Sequence, residues 1–165
     1  MKVNEEVDAL DTMLLMGMKD EAEKTKAFLL ERLSFDKDIT VKNFEITIRV
    51  LGGLLSAYEM TGDERLLRLA DDLGRRLLPV FESPTGMPYM YVNLRTGKTS
   101  GARSNPAEIG TLILELGTLG RLTGEARFFD MAEQALYNHL LAAQSPDGRG
   151  WAYYMGLRDH KRYRW

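Results

Sequence analysis

The residues with the clearest chemical potential lie in 43–63, NFEITIRVLGGLLSAYEMTGD. On a helix, Glu45, Arg49, Gly52 and Ser56 follow one another at steps of four, three and four, so they share one stripe. Phe44, Ile48, Leu51, Leu55 and Tyr58 form a separate apolar face. A Glu four residues before an Arg is the favourable orientation for an ion pair, worth roughly 0.2–0.5 kcal/mol when exposed. Gly52 and Gly53 each cost about 1 kcal/mol relative to Ala. Helix stability does not explain such a stripe. It marks a face where a neighbouring helix or a ligand approaches the backbone. A second stripe, Glu108, Thr111, Glu115 and Thr118, runs along a later helix. Ser104 or Asn105 can cap that helix, and Pro106 suits its first turn.

Glu45 and Glu108 both lie near the starts of helices that open successive hairpins. Those helices are expected to run parallel and adjacent, which puts two carboxylates and one arginine at one end. Carboxylate pairs serve glycoside hydrolysis, one as acid and the other as base or nucleophile. An inverting reaction separates them by roughly 6.5–9.5 Å, with a water between. The acid must also hold its proton, which burial favours and a nearby arginine opposes. Plainer readings stand beside this one. Glu45–Arg49 is also an ordinary intrahelical ion pair, and Glu108 also suits a first-turn dipole. Asp8 and Asp11 in DALDT (8–12) either line a polar face or stand in solvent near a helix start. Tyr137, His139, Trp151, Tyr153 and Tyr154 are of types that stack on a sugar, or that fill a half-buried core.

The elements that must hold these residues show an internal repeat. TGDERLLRLADDLGRRLLPVFESPTG (61–86) aligns with TGEARFFDMAEQALYNHLLAAQSPDG (123–148) at an offset of 62 residues. Thr61/Thr123, Gly62/Gly124, Arg65/Arg127, Ala70/Ala132, Ser83/Ser145, Pro84/Pro146 and Gly86/Gly148 are identical. A fainter copy begins in 17–36, where Asp20 and Ala27 fall opposite Asp63 and Ala70. In each copy a helix ends near a glycine, and Asp or Glu opens the next. Leu66, Leu67, Leu69, Ala70, Leu73, Leu77 and Leu78 recur at helical spacing. The pattern predicts helices near 3–17, 20–33, 41–60, 63–81, 105–122 and 125–143. PYMYVNLRTG predicts a short strand or hairpin, and GRGWAYYMGL a matching strand. The expected fold is all-α: a single domain over 1–165, of three αα-hairpins forming a partial α/α-toroid with one short β-hairpin. Its open ends suggest a homodimer of two arcs.

Composition narrows the function classes. With 165 residues the chain can bury one core. A net charge of -2 favours neither nucleic acid nor an anionic membrane. The C-terminal RDHKRYRW reads as a solvated tail. No apolar run reaches the ~20 residues of a membrane span, and the acidic N-terminus lacks a signal-peptide core. The chain is therefore expected to be soluble, and cytoplasmic if expressed as given, its native compartment open. The absence of cysteine removes disulfides, thiolate catalysis and cysteine zinc sites. His139 and His160 lack the spacing of a zinc-binding HExxH motif.

VDALDTMLLMGMKDE, LSFDKD, FEITIRVLGGLLSAYEMTGDERLL, RLLPVFESPTGMPYMYVNLRTG and AEIGTLILELGTLGRLTG together resemble the class I α-mannosidases, glycoside hydrolase family 47, over about 7–124. The resemblance implies an α/α-toroid of seven hairpins that removes α-1,2-linked mannose with inversion, using calcium. It implies Glu45 as general acid, Arg49 as a sugar-subsite residue and Glu108 as a substrate contact. The family's other carboxylates and its calcium-binding threonine lie in later hairpins without counterpart here, so its calcium site is not expected in this chain. LILELGTLGRL also departs from the family's usual glutamine and aromatic-arginine step. AEQALYNHLLAAQSPDGRGWAYYMGLRDHKRYRW (132–165) is similar to the β-L-arabinofuranosidases, glycoside hydrolase family 127, whose cysteine cluster has no counterpart here. The composite reads as an engineered or computationally generated protein, or as a natural truncated paralogue or fragment. The function expected is a scaffold with a vestigial subsite for a mannose-type sugar and no native catalysis. The alternative is an active inverting α-1,2-mannosidase-like enzyme, with Glu108 or Asp11 as base.

Overall fold

The structure is a computed structural model that describes residues 2–158 and 161–163. Six helical rods dominate it. The first two are α1 (Lys2–Leu15) and α2 (Lys19–Arg32). The third joins α3 (Asn43–Ile46), a π-helical turn (Thr47–Leu51) and α4 (Gly52–Thr61). The fourth is α5 (Glu64–Leu77), which tightens into a 3-10 turn at Leu78–Phe81. The fifth is α6 (Pro106–Gly110) with α7 (Leu112–Thr123), and the sixth is α8 (Ala126–Ala143). Every rod begins and ends within two residues of its sequence-based position.

The repeat holds at the level of atoms. Thr61 Oγ1 donates to Ala57 O at 2.6 Å, and Thr123 Oγ1 to Leu119 O at 2.7 Å. Gly62 and Gly124 then take φ of 68° and 74°, the left-handed region where a side chain would be strained. Each returns its N–H to the carbonyl four residues back. The fainter third copy does not share this register. Ala70 is buried but Ala27 is exposed, and α2 turns Ala22 and Leu29 inward instead.

The strands differ from expectation. One hairpin was expected, and two three-stranded antiparallel sheets form. β1 (Thr40–Lys42), β2 (Tyr91–Asn93) and β3 (Thr99–Ser100) make the first, with β2 central. β4 (Arg103–Ser104), β5 (Tyr154–Gly156) and β6 (Arg162–Tyr163) make the second, with β5 central. GRGWAYYMGL thus supplies a strand, but β4 and β6 receive it rather than the first hairpin. Strands of two or three residues carry too little alternation to be read locally. The basic tail is not purely solvated either, since Arg162 lies in β6 and donates to Ala142 O at 2.7 Å. Asp159, His160, Arg164 and Trp165 lie outside the described residues.

One core joins all six rods. Leu51 and Leu54 of the third rod meet Leu66 and Leu73 of α5, Leu116 of α7 and Phe128 of α8, all fully buried. Val7 and Leu10 of α1 complete it on one side. A small satellite cluster forms at Ala143, Ala152 and Met155 under the second sheet. The buried face of the third rod is wider than the stripe Phe44, Ile48, Leu51, Leu55 and Tyr58. Ile46, Val50, Leu54 and Ala57 are its deep members, while Phe44, Ile48 and Tyr58 are half-buried. The rod is flanked by α1, α5 and α7, so a single apolar stripe cannot cover it.

Candidate functional site

The third and fifth rods run parallel and adjacent, as three cross-links in order demonstrate. At their starts, Lys42 Nζ donates to Glu108 Oε1 at 2.5 Å. Midway, Gly52 faces Glu115, whose Cγ would lie 3.5 Å from a Cβ added to the glycine. Near their ends, Arg121 Nη2 donates to Glu59 Oε1 at 2.6 Å. The expected cap is present too: Asn105 accepts the Glu108 N–H at 3.0 Å, with Pro106 opening α6.

Glu45 sits on α3 and Arg49 in the π turn one step later. Arg49 Nε donates to Glu45 Oε2 at 3.0 Å, and its Nη1 to Asp8 Oδ2 at 3.2 Å on α1. The pair is therefore not confined to one helix; the arginine ties α1 to the third rod. Its two carboxylates keep it firmly charged, its pKa raised by the hydrogen bonds it donates to Glu45 first and Asp8 second. Glu45 and Arg49 stay about half exposed, at 44% and 54%. Exposed pairs of this kind contribute little to stability. A pocket of about 210 Å³ opens beside them, lined by Val41, Lys42, Glu45, Ile46, Arg49 and Val50. Lys42 is the member that sequence reasoning missed. It ends β1, and its pKa is raised chiefly by the hydrogen bond to Glu108. No local pattern could have singled it out, because its partner lies 66 residues away.

The two adjacent glycines have different jobs. A Cβ on Gly53 would stand 2.9 Å from Val7 O of α1, closer than real Cβ contacts come. Gly53 therefore lets a neighbouring helix approach, as a packing glycine does. Gly52 instead leaves room for the Glu115 side chain and accompanies the π turn, where its N–H reaches Thr47 O, five residues back. Beside it lies a second opening of about 210 Å³, lined by Gly52, Leu55, Ser56, Glu59, Leu114, Glu115 and Thr118. Burial raises the Glu115 pKa, and its Oε2 is enclosed without a hydrogen-bond partner. Single π turns occur often at functional positions.

Other candidates lie elsewhere. Asp11, weighed as a base, touches the hydroxyl of its neighbour Thr12 at 3.4 Å and does not line the pocket at Glu45. Asp8 is the residue of DALDT that reaches the site. His139 is fully buried, with Nδ1 3.3 Å from Met87 Sδ. Trp151 donates to Leu140 O at 3.3 Å, and Tyr153 meets Tyr154 edge-on at 4.7 Å. None of these aromatics, nor the exposed Tyr137, lines the pocket at Glu45. Calcium takes roughly six to eight oxygen ligands. Among the described residues no group of three or more His, Cys, Asp or Glu could hold a metal ion. Among the described residues no helix is long and apolar enough to cross a membrane.

Comparison with known proteins follows this geometry. The model of glycosyl hydrolase family 47 matches residues 5–157. The human endoplasmic reticulum mannosyl-oligosaccharide 1,2-alpha-mannosidase is 44% identical over 132 residues, covering 78% of this chain and 19% of that protein. The mouse ER degradation-enhancing alpha-mannosidase-like protein 2 is 42% identical over 144 residues, covering 79% and 25%. The solved alpha-1,2-mannosidase from Trichoderma reesei superposes with a TM-score of 0.81 at 28% identity, over 96% of this chain and 36% of that one. The chain thus spans about a fifth to a quarter of these two curated relatives. Its rods form part of an α/α-toroid.

Proposed function

This chain belongs to glycosyl hydrolase family 47, and on that premise we propose that it presents one corner of a mannosidase site, binding a mannose-type sugar without completing hydrolysis. In this reading Glu45 stands at the position of the general acid, and Arg49 and Glu108 contact the sugar. One observation carries it: Lys42, Glu45 and Arg49 line one pocket at a shared end of two parallel rods, with Glu108 paired to Lys42 and Asp8 to Arg49 beside it. Such a set of paired charges offers both donors and acceptors, as sugar hydroxyls require.

The same pairing favours binding over turnover. Inverting hydrolysis needs one carboxyl free to give a proton and another free to activate water. Here Glu45 and Asp8 share Arg49, and Glu108 holds Lys42. The second reading, an active inverting α-1,2-mannosidase with Glu45 as acid, is supported by the names of the relatives. Incubation with α-1,2-mannobiose, with and without calcium, beside Glu45→Gln, tests the choice. We expect no release of mannose, with amide shifts around Glu45 and Arg49 on titration. Turnover that Glu45→Gln abolishes would overturn the binding reading.

A homodimer through the open faces is part of the proposal. Leu15 and Met16 at one side and Leu141 on the last rod are each more than 70% exposed, which supports it. A monomeric mass in light scattering at micromolar concentration would remove it. The origin of 132–165 in the arabinofuranosidase family, and an engineered origin, rest on the sequence resemblance alone. The family-47 match through residue 157 supports a single ancestry instead.

A further inference from the structure

The proposed subsite contains a cation that the family resemblance does not supply. Lys42 is fixed from three sides. β1 pairs its backbone with Tyr91 of β2, its ammonium stands 5.7 Å from the centre of the Phe44 ring, and Glu108 accepts from its Nζ at 2.5 Å. Both partners of the ion pair are sheltered: the side chains of Lys42 and Glu108 are 32% and 17% exposed. The ammonium nevertheless lines the pocket beside Glu45 and Arg49. An ammonium has three N–H donors, and a carboxylate offers about four lone-pair positions. One donor and one acceptor are used within the pair, which leaves the pocket-lining ammonium two N–H groups and its partner carboxylate further lone pairs.

Resting on the sugar-binding reading above, we propose that Lys42 is a specificity-determining residue of this subsite, which with Glu108 clasps two neighbouring hydroxyls of a neutral sugar. Lys42 donates to the oxygen of one hydroxyl, and Glu108 accepts the proton of the next. A charged donor and a charged acceptor held at one fixed spacing match a vicinal diol, whose oxygens sit at an equally fixed spacing. Because the two charges cancel, the clasp selects neutral sugar over an anionic or cationic analogue. Phe44 beneath the ammonium and the β1–β2 pairing remove the rotamer freedom that a free lysine loses on binding.

Binding of methyl α-mannoside and its monodeoxy analogues, followed by NMR, tests the clasp. Lys42→Met should weaken methyl α-mannoside by about tenfold or more, the size of a charge-assisted hydrogen bond. Lys42→Arg should recover most of it. One monodeoxy analogue should bind the wild-type protein about tenfold less tightly, and Lys42→Met should no longer discriminate against it. A merely structural lysine would weaken every analogue alike. The Lys42 ammonium signal of the wild-type protein, assigned by its loss in Lys42→Arg, should move on titration; this holds even if Lys42→Met fails to fold. Wild-type binding with a stationary ammonium signal, or undiminished binding by folded Lys42→Met, overturns the clasp and leaves the subsite standing. No sugar binding by the wild-type protein overturns both.

Discussion

The turns between rods and the faces of the rods are built on opposite terms. In the two matched turns the hydroxyl, the glycine and the first amide of the next helix are all engaged. Thr61 and Thr123 close the helix before, and the amides of Asp63 and Glu125 return to them at 3.4 and 3.3 Å. Asp63 goes further: it caps α5 by accepting the Arg65 N–H at 3.1 Å, and the Arg65 side chain first, then that amide, lower its pKa to about 2. The bodies of the third and fifth rods show the reverse. Thr47 Oγ1 and Glu115 Oε2 are enclosed without a hydrogen-bond partner, and a π turn interrupts the helix between Glu45 and Gly52. Glu6 Oε2 on α1 and Asp71 Oδ1 on α5 are enclosed in the same way, so what sets this face apart is the leftover groups together with the π turn.

The largest test of this contrast is Gly53→Leu. The Cβ alone would press on the Val7 carbonyl, so we predict a loss of about 3 kcal/mol, seen as a fall in Tm of roughly 10 °C. An unchanged Tm would show α1 to be loose there and the glycine face to be a ligand surface. Next comes Asp63→Ala. Loss of the cap costs about 1 kcal/mol in chemical denaturation, against a few tenths for Glu125→Ala, whose side chain makes no cap bond. The pH dependence gives the sign. Folding depresses the Asp63 pKa from 3.8, so its contribution is present above about pH 4 and is lost as pH falls toward about 2. Asp63→Ala should flatten the stability curve in that window.

Smaller effects separate the two glycines and the stranded acid. Gly52→Ala meets only ordinary contact with Glu115, so it should gain up to about 1 kcal/mol of helix propensity. A loss comparable to that of Gly53→Leu would erase the distinction. Glu115→Gln should stabilise the protein near neutrality. Burial raises the Glu115 pKa above its ordinary 4.5, so the folded state holds the proton more tightly and stability declines as pH rises through that range. The advantage of glutamine should vanish below about pH 4, where both states are protonated. Equal stability of the two proteins at pH 7 would mean that water serves the carboxylate.

The rods and turns were legible because their rules are local. A glycine after a Thr, an acid at the next helix start and leucines every three or four residues need no distant partner to be meaningful. The stripe of Glu45 and Arg49 was legible on the same grounds, and so was a cap at Ser104 or Asn105 before Pro106, of which the structure uses Asn105. The sheets were less so. β1 is three residues long and merges in sequence with α3, and β4 has two residues whose partner strand arrives fifty residues later.

Sequence by itself therefore determined six rods, their hairpin repeat and which acids share a helical face, since helix periodicity and capping act within a few residues. Tertiary structure alone decided what those acids meet. Arg49 reaches Asp8 across 41 residues, and Lys42 reaches Glu108 across 66. It also assigned Gly53 to the packing of α1 and Gly52 to the space around Glu115, though the two are neighbours in the chain. Residues one step apart on a helix point about 100° apart, so adjacent glycines must answer to different neighbours. Which neighbours those are depends on how the rods cross, and no local rule states it.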